Sequence, residues 1–198
     1  MMRSGGIFRG ERAKGASIGA TITGGFGAVW LALGMTGAGM PVLAALAVVI
    51  PVFVVVASLA SMVRRRLPKL SAAETPEKRE RMRAFAVVNV VEWVAIFGTI
   101  NLLRNLHLDA WIVSAIALIV GAHFLPLARI FGARQHVVTG TALMLCAAVA
   151  VVLPWSVRDV VECVGAGLIL WASAAAALYT AFRLTPRARL SASDGLQG

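Results

Sequence analysis

The sequence is poor in charge. Of its 198 residues, 14% are Asp, Glu, Lys or Arg, against roughly a quarter in an ordinary soluble domain. A soluble chain of this size needs polar side chains to cover its surface, and these are too few. Cysteine is scarce too. Cys146 and Cys163 are the only two, they form no CxxC pair, and both lie in apolar surroundings. Nothing there supports a disulfide framework or a zinc site, and both read as small packing residues. Of three histidines, only His123 lies deep in an apolar run. A membrane di-haem protein needs pairs of intramembrane histidines as axial ligands. A GxSxG elbow and an HExxH helix are both missing. Ser58, Ser61, Ser114 and Ser173 have no evident His and Asp partners. No cofactor or metal is expected, and an enzyme acting on a lipid ranks third among the functional readings.

What is abundant is apolar. Hydrophobic residues make up 59% of the chain, and the mean hydropathy is +0.83. A span needs about 20 mostly apolar residues to cross the ~30 Å hydrocarbon core. Six runs qualify: 16–38, 41–63, 84–106, 110–131, 136–155 and 157–182. Lipid offers no partner to backbone N–H and C=O groups, so the runs are helices. They are continuous rather than alternating, which argues against a β-barrel. The expected fold is an all-α, six-span membrane helix bundle whose principal surroundings are the lipid bilayer. The last two spans, separated only by Trp155 and Ser156, form a tight hairpin. Residues 1–15 are basic but contain Glu11, and no small-residue cleavage site follows, so the first span is read as retained.

The net charge of +10 follows the spans. Residues 1–15, the 64–83 loop, the 129–135 loop and the 184–198 tail, with Arg183 beside it, carry 17 of the 19 basic residues. The opposite face carries Arg104 and Arg158 alone. Basic loops stay in the cytoplasm, so both termini are expected there, in a bacterial inner membrane. Charge sorted in this way records orientation, and no nucleic-acid motif accompanies it. The 64–83 loop, RRRLPKLSAAETPEKRERMR, can attract anionic lipid head groups. It holds two helix starts, Ser71 with Glu74 at capping-box spacing and Thr75-Pro76-Glu77. The 184–198 tail reads as disordered. Gly15-xxx-Gly19 and Ala20-xxx-Gly24 in the first span fit the small-xxx-small pattern of close helix contact, including a homo-oligomer through that helix. Asn89-Val-Val-Glu92 echoes Asp159-Val-Val-Glu162, and with three spans per half such a repeat would be inverted across the membrane.

Glu92 is an acidic group deep in a span, ~12–13 Å from the basic edge. By default such a group marks function. Asn89 and Thr99, at i−3 and i+7, share its face. His123 lies at a matching depth in the neighbouring fourth span, so contact is expected. Pro126 frees a carbonyl near residue 122 and should loosen the helix there. A carboxyl–imidazole pair in apolar surroundings can hold or release one proton near neutral pH. As a staple between helices it would contribute about 0.6 kcal/mol. Arg158, Asp159 and Glu162 open the sixth helix, where the acids suit its dipole or form an outer vestibule. Arg104, His107 and Asp109 read as solvated. His136, Thr139, Gly140 and Cys146 share a face of the fifth helix, read as packing or a pore lining. Pro51 should kink the second.

The run Gly121-Ala-His123-Phe-Leu-Pro126-Leu-Ala-Arg129 resembles one found in small, uncharacterised bacterial multi-pass membrane proteins. That resemblance covers about ten residues and implies a helix bundle, with no activity attached. The leading expectation is a small-solute or ion carrier or channel, with Glu92 and His123 as a proton-responsive site, Asn89 beside them, and Thr99, Pro126, Glu162 and Asp159 in support. The runner-up is a scaffold, subunit or accessory protein that does not transport.

Overall fold

The computed structural model describes residues 3–67 and 76–194. Within them the chain is helical with no strands. The elements are α1 (Arg3–Gly37), α2 (Val42–Arg66), α3 (Pro76–Asn105), a 3₁₀ turn (Asp109–Trp111), α4 (Ile112–Phe131), α5 (Arg134–Val151) and α6 (Trp155–Asp194). Six helices are long and apolar enough to cross a membrane. α6 has 40 residues and α1 has 35. At 1.5 Å per residue both exceed the hydrocarbon core by roughly 20 Å or more.

Helices outrun the hydropathy pattern because lipid contact and helix formation are separate requirements. Residues after Phe182 are mostly polar, yet rich in the strong helix formers Ala, Arg and Leu. The tail expected to be disordered is helical to Asp194, the last described residue. The fifth and sixth spans are joined by residues 152–154 rather than by Trp155-Ser156. Pro154 precedes α6, and its carbonyl accepts the N–H groups of Val157 and Arg158. α3 is helical from Pro76, the first described residue after 67. The Ser71–Glu74 start lies outside the described residues.

Turn chemistry ends three helices in one way. At Gly39 (φ 89°), His107 (φ 56°) and Gly132 (φ 61°) the backbone turns left-handed. In each case the next N–H reaches back to the carbonyl five residues earlier: Met40 to Met35, Leu108 to Leu103, Ala133 to Ala128. This Schellman closure satisfies carbonyls that would otherwise be orphaned. His107 is the uncommon choice, since glycine takes this conformation without steric cost.

The helices form a row, α2–α1–α6–α5–α4–α3, in which α6 also touches α2 and α4. The largest interface joins α1 to α6. Glycine makes it close. A Cβ on Gly27 would lie 2.5 Å from Trp171 and 3.1 Å from the Gly167 carbonyl, and one on Gly167 2.9 Å from the Gly27 carbonyl. Trp171 Nε1 donates to the Gly24 carbonyl at 3.1 Å. α4 and α5 cross in the same way at Gly121 and Gly140, where a Cβ on Gly140 would stand 2.5 Å from the Gly121 carbonyl. Gly24, Gly27 and Gly34 are thus filled by α2 and α6 within one chain. Of the glycines considered for an oligomer contact, Gly15 and Gly19 have no neighbour at that distance.

α3 differs from the rest. It packs on α4 and the 3₁₀ turn, and none of its described residues is buried.

Candidate functional site

Two polar clusters lie among the helices. The first joins α3, α4 and α5. Glu92 Oε2 stands 3.3 Å from His123 Nδ1, with the side chains 14% and 9% exposed. The expected contact therefore exists. The oxygen is out of line for N–H donation, however, and Nδ1 has no hydrogen-bond partner among the described residues. His136 on α5 joins from behind Phe124. The Phe124 ring is 6.0 Å from the His123 ring and 5.7 Å from that of His136. Phe131 packs on His136 at 6.2 Å and on Phe85 at 5.6 Å. His136 Nδ1 is also buried without a partner.

The supporting residues fall differently from expectation. Asn89 Nδ2 donates to the Phe85 carbonyl at 2.8 Å, one turn back on its own helix, and not to Glu92. A short amide in a helix finds its own backbone first. Thr99 lies two turns beyond Glu92, roughly 10 Å along the axis and outside the contact. α4 stays helical through Pro126 to Phe131. The buried residues Gly121, Phe124, Leu127 and Ala128 hold it on both sides of the proline, so the expected loosening is not seen.

The second cluster joins α4, α5 and α6 towards the other end. Glu162 is 0% exposed and Arg158 3%. Ser114 Oγ of α4 donates to Glu162 Oε2 at 2.5 Å, and Glu162 Oε1 has no hydrogen-bond partner among the described residues. Cys146 of α5 lies 3.9 Å from the Glu162 backbone carbonyl. The Arg158 guanidinium sits 3.9 Å from the Trp155 ring and 4.5 Å from that of Trp111. Its Nη2 donates to the Val151 carbonyl at 2.8 Å. Nε and Nη1 are buried and without hydrogen-bond partners among the described residues. Arg158 and Glu162 are one helical turn apart, yet no ion pair joins them among the described residues.

This arrangement corrects the reading of Arg158, Asp159 and Glu162 as one group at a helix start. Asp159 is exposed while the two residues flanking its turn are enclosed. Glu162 serves Ser114 rather than the helix dipole. The sequence pointed to Arg158, Ser114 and His136 but not to the partners they take, namely the Trp111–Trp155 pair, Glu162 and Phe124. The available signal was an Arg–Glu pair at i,i+4 with a tryptophan three residues before it. The solvated reading of the third outer group holds: Arg104 and Asp109 are 69% and 65% exposed and lie 3.9 Å apart.

An apolar layer separates the clusters. Ala117, Leu143, Ala147 and Leu170 fill it, and Thr139 donates to Ser173 at 2.9 Å beside it. The fifth-helix face read as packing is packed: Thr139 on Ser173, Gly140 on Gly121, Cys146 on Glu162 and Gly165. Among the described residues no group of three His, Cys, Asp or Glu side chains is placed to hold a metal. No protein-family model, curated protein or solved structure matches this chain.

Proposed function

We propose that this chain is a proton-linked carrier or channel for a small solute or ion in a bacterial inner membrane, with both termini in the cytoplasm. The Glu92–His123 contact carries the reading. A carboxyl and an imidazole 3.3 Å apart and mostly enclosed are suited to sharing one proton. They lie between α4 and the helix with the fewest other contacts, so protonation can shift α3 without unpacking the core. Orientation rests on the basic residues at one end. Glu11 and Lys78, 3.7 Å apart, join the starts of α1 and α3 there. Arg64, 3.5 Å from Thr21, ties in the end of α2. Anionic head groups suit the same end.

The test is current on solid-supported membranes carrying the reconstituted chain. Panels of monovalent ions, amino acids and short carboxylates are applied under an inward proton gradient. At least one class should evoke a current, and Glu92→Gln and His123→Ala should lower it tenfold or more with helicity unchanged. No current from any panel overturns the reading. So does a Glu92→Gln variant with wild-type current and only a lower melting temperature, which leaves the pair as a staple.

The exposed side of α3 supports a second reading. Val87, Val90, Val91, Val94 and Phe97 are all more than half exposed, on a helix held mainly by α4. A non-transporting subunit or accessory protein would dock such a helix on another membrane protein, and would co-purify with it in mild detergent.

A further inference from the structure

We propose that Arg158 and Glu162 form a second site, which takes up a small monovalent anion together with one proton. The site is independent of Glu92 and His123. A guanidinium has five N–H donors and no acceptor. At Arg158 the guanidinium sits in the corner of two indole rings set at 88° to each other, and Nη2 is spent on Val151. The rings attract the cation, but among the described residues no nitrogen or oxygen acceptor reaches Nε and Nη1, which are buried. One turn further on, Glu162 is fully enclosed, with Oε2 on Ser114 and Oε1 unmatched. Unmatched buried polar atoms are costly and rare. Here the unmatched donors and the unmatched acceptor lie one turn apart on the same helix.

One ligand satisfies both. An anion accepts from Arg158. A proton added at Oε1 turns that oxygen into a donor to the same anion, while Oε2 keeps the Ser114 hydroxyl. The proton comes from water, and no other bond changes. Charge demands this pairing. Arg158 and Glu162 together are neutral, and an anion entering alone would leave a net negative charge in a low-dielectric site. The start of α6 adds its positive dipole end nearby. The other groups in the neighbourhood are Asp159 and Cys163 on α6, Cys146 on α5, Ser114 on α4, and the exposed Asp109–Arg104 pair at that end of the bundle. None supplies a second buried cation.

Halide and carboxylate share this chemistry, so chloride and formate are the probes. The full chain in detergent is titrated with each sodium salt over a pH series, reading tryptophan fluorescence and proton uptake in weak buffer. Saturable binding should take up about one proton per anion, with affinity falling about tenfold per pH unit once Glu162 is ionised. Glu162→Gln offers a permanent N–H donor, so it should keep binding, lose the pH dependence and take up no proton. Arg158→Lys should weaken binding at least tenfold with the proton stoichiometry kept. A response to one salt alone supports the site and names its anion. No saturable response to either salt in the wild type overturns it. So does proton uptake that persists in Glu162→Gln, or that vanishes in Glu92→Gln. A carrier reading that fails at Glu92 leaves these titrations unaffected.

Discussion

Both polar clusters are anchored on α4, through His123 in one and Ser114 in the other, roughly 13 Å apart along the helix. Their settings are opposite. Glu92 and His123 lie at the edge of the row, against a helix with no buried residue. Arg158 and Glu162 lie where α4, α5 and α6 converge, almost wholly enclosed. Depth along a span says how far a charge is from water. The number of helices that meet around it says what it can do there. A charge at the edge can move with its helix, while an enclosed charge responds only by changing partners.

Three substitutions and one matched control break or sharpen that contrast, all read by denaturant-driven unfolding in mixed micelles. Glu162→Ala should have the largest effect, because it leaves Arg158 buried without its counter-charge. A loss of about 3–5 kcal/mol is expected, and a loss below about 1 kcal/mol would make the interior cluster no more consequential than the edge. Gly140→Ala comes next. Its Cβ meets the Gly121 backbone, which cannot step aside, and overpacking of that kind costs about 1–3 kcal/mol. Gly98→Ala on α3 is the matched control, since its Cβ meets nothing within 4 Å and alanine is the better helix former. Glu92→Gln should be smallest, at about 0.6 kcal/mol. A Glu92→Gln cost equal to that of Glu162→Ala would erase the distinction between the clusters.

The spans were legible in the sequence because each is a continuous apolar run of the required length. The Glu92–His123 contact was legible for a local reason. The short connection between the third and fourth spans makes them neighbours, and counting residues places both groups at one depth. Arg158 was not legible. It sits four residues after Pro154, beside a loop, where hydropathy reads a solvated cation. Its burial depends on Trp111, which arrives from the other hairpin. His136 was hidden similarly, two residues inside α5, and joins its cluster only through Phe124. The helical ends of α1 and α6 were missed because hydropathy reports lipid contact and is silent once a helix leaves the bilayer.

The interface between the first and last helices has a consequence in time. Gly27 meets Gly167, 140 residues further along the chain. At ribosomal speeds of roughly 5–20 residues per second, that separation is on the order of ten seconds. For that interval α1 waits in the bilayer with its glycine face open, held by α2 alone. α3, α4 and α5 emerge and pair meanwhile. α6 comes last and enters between the two halves, so the order of birth makes it the keystone. A nascent chain stopped before Trp155 would hold two unfinished pieces side by side, with the groove for the final helix uncovered.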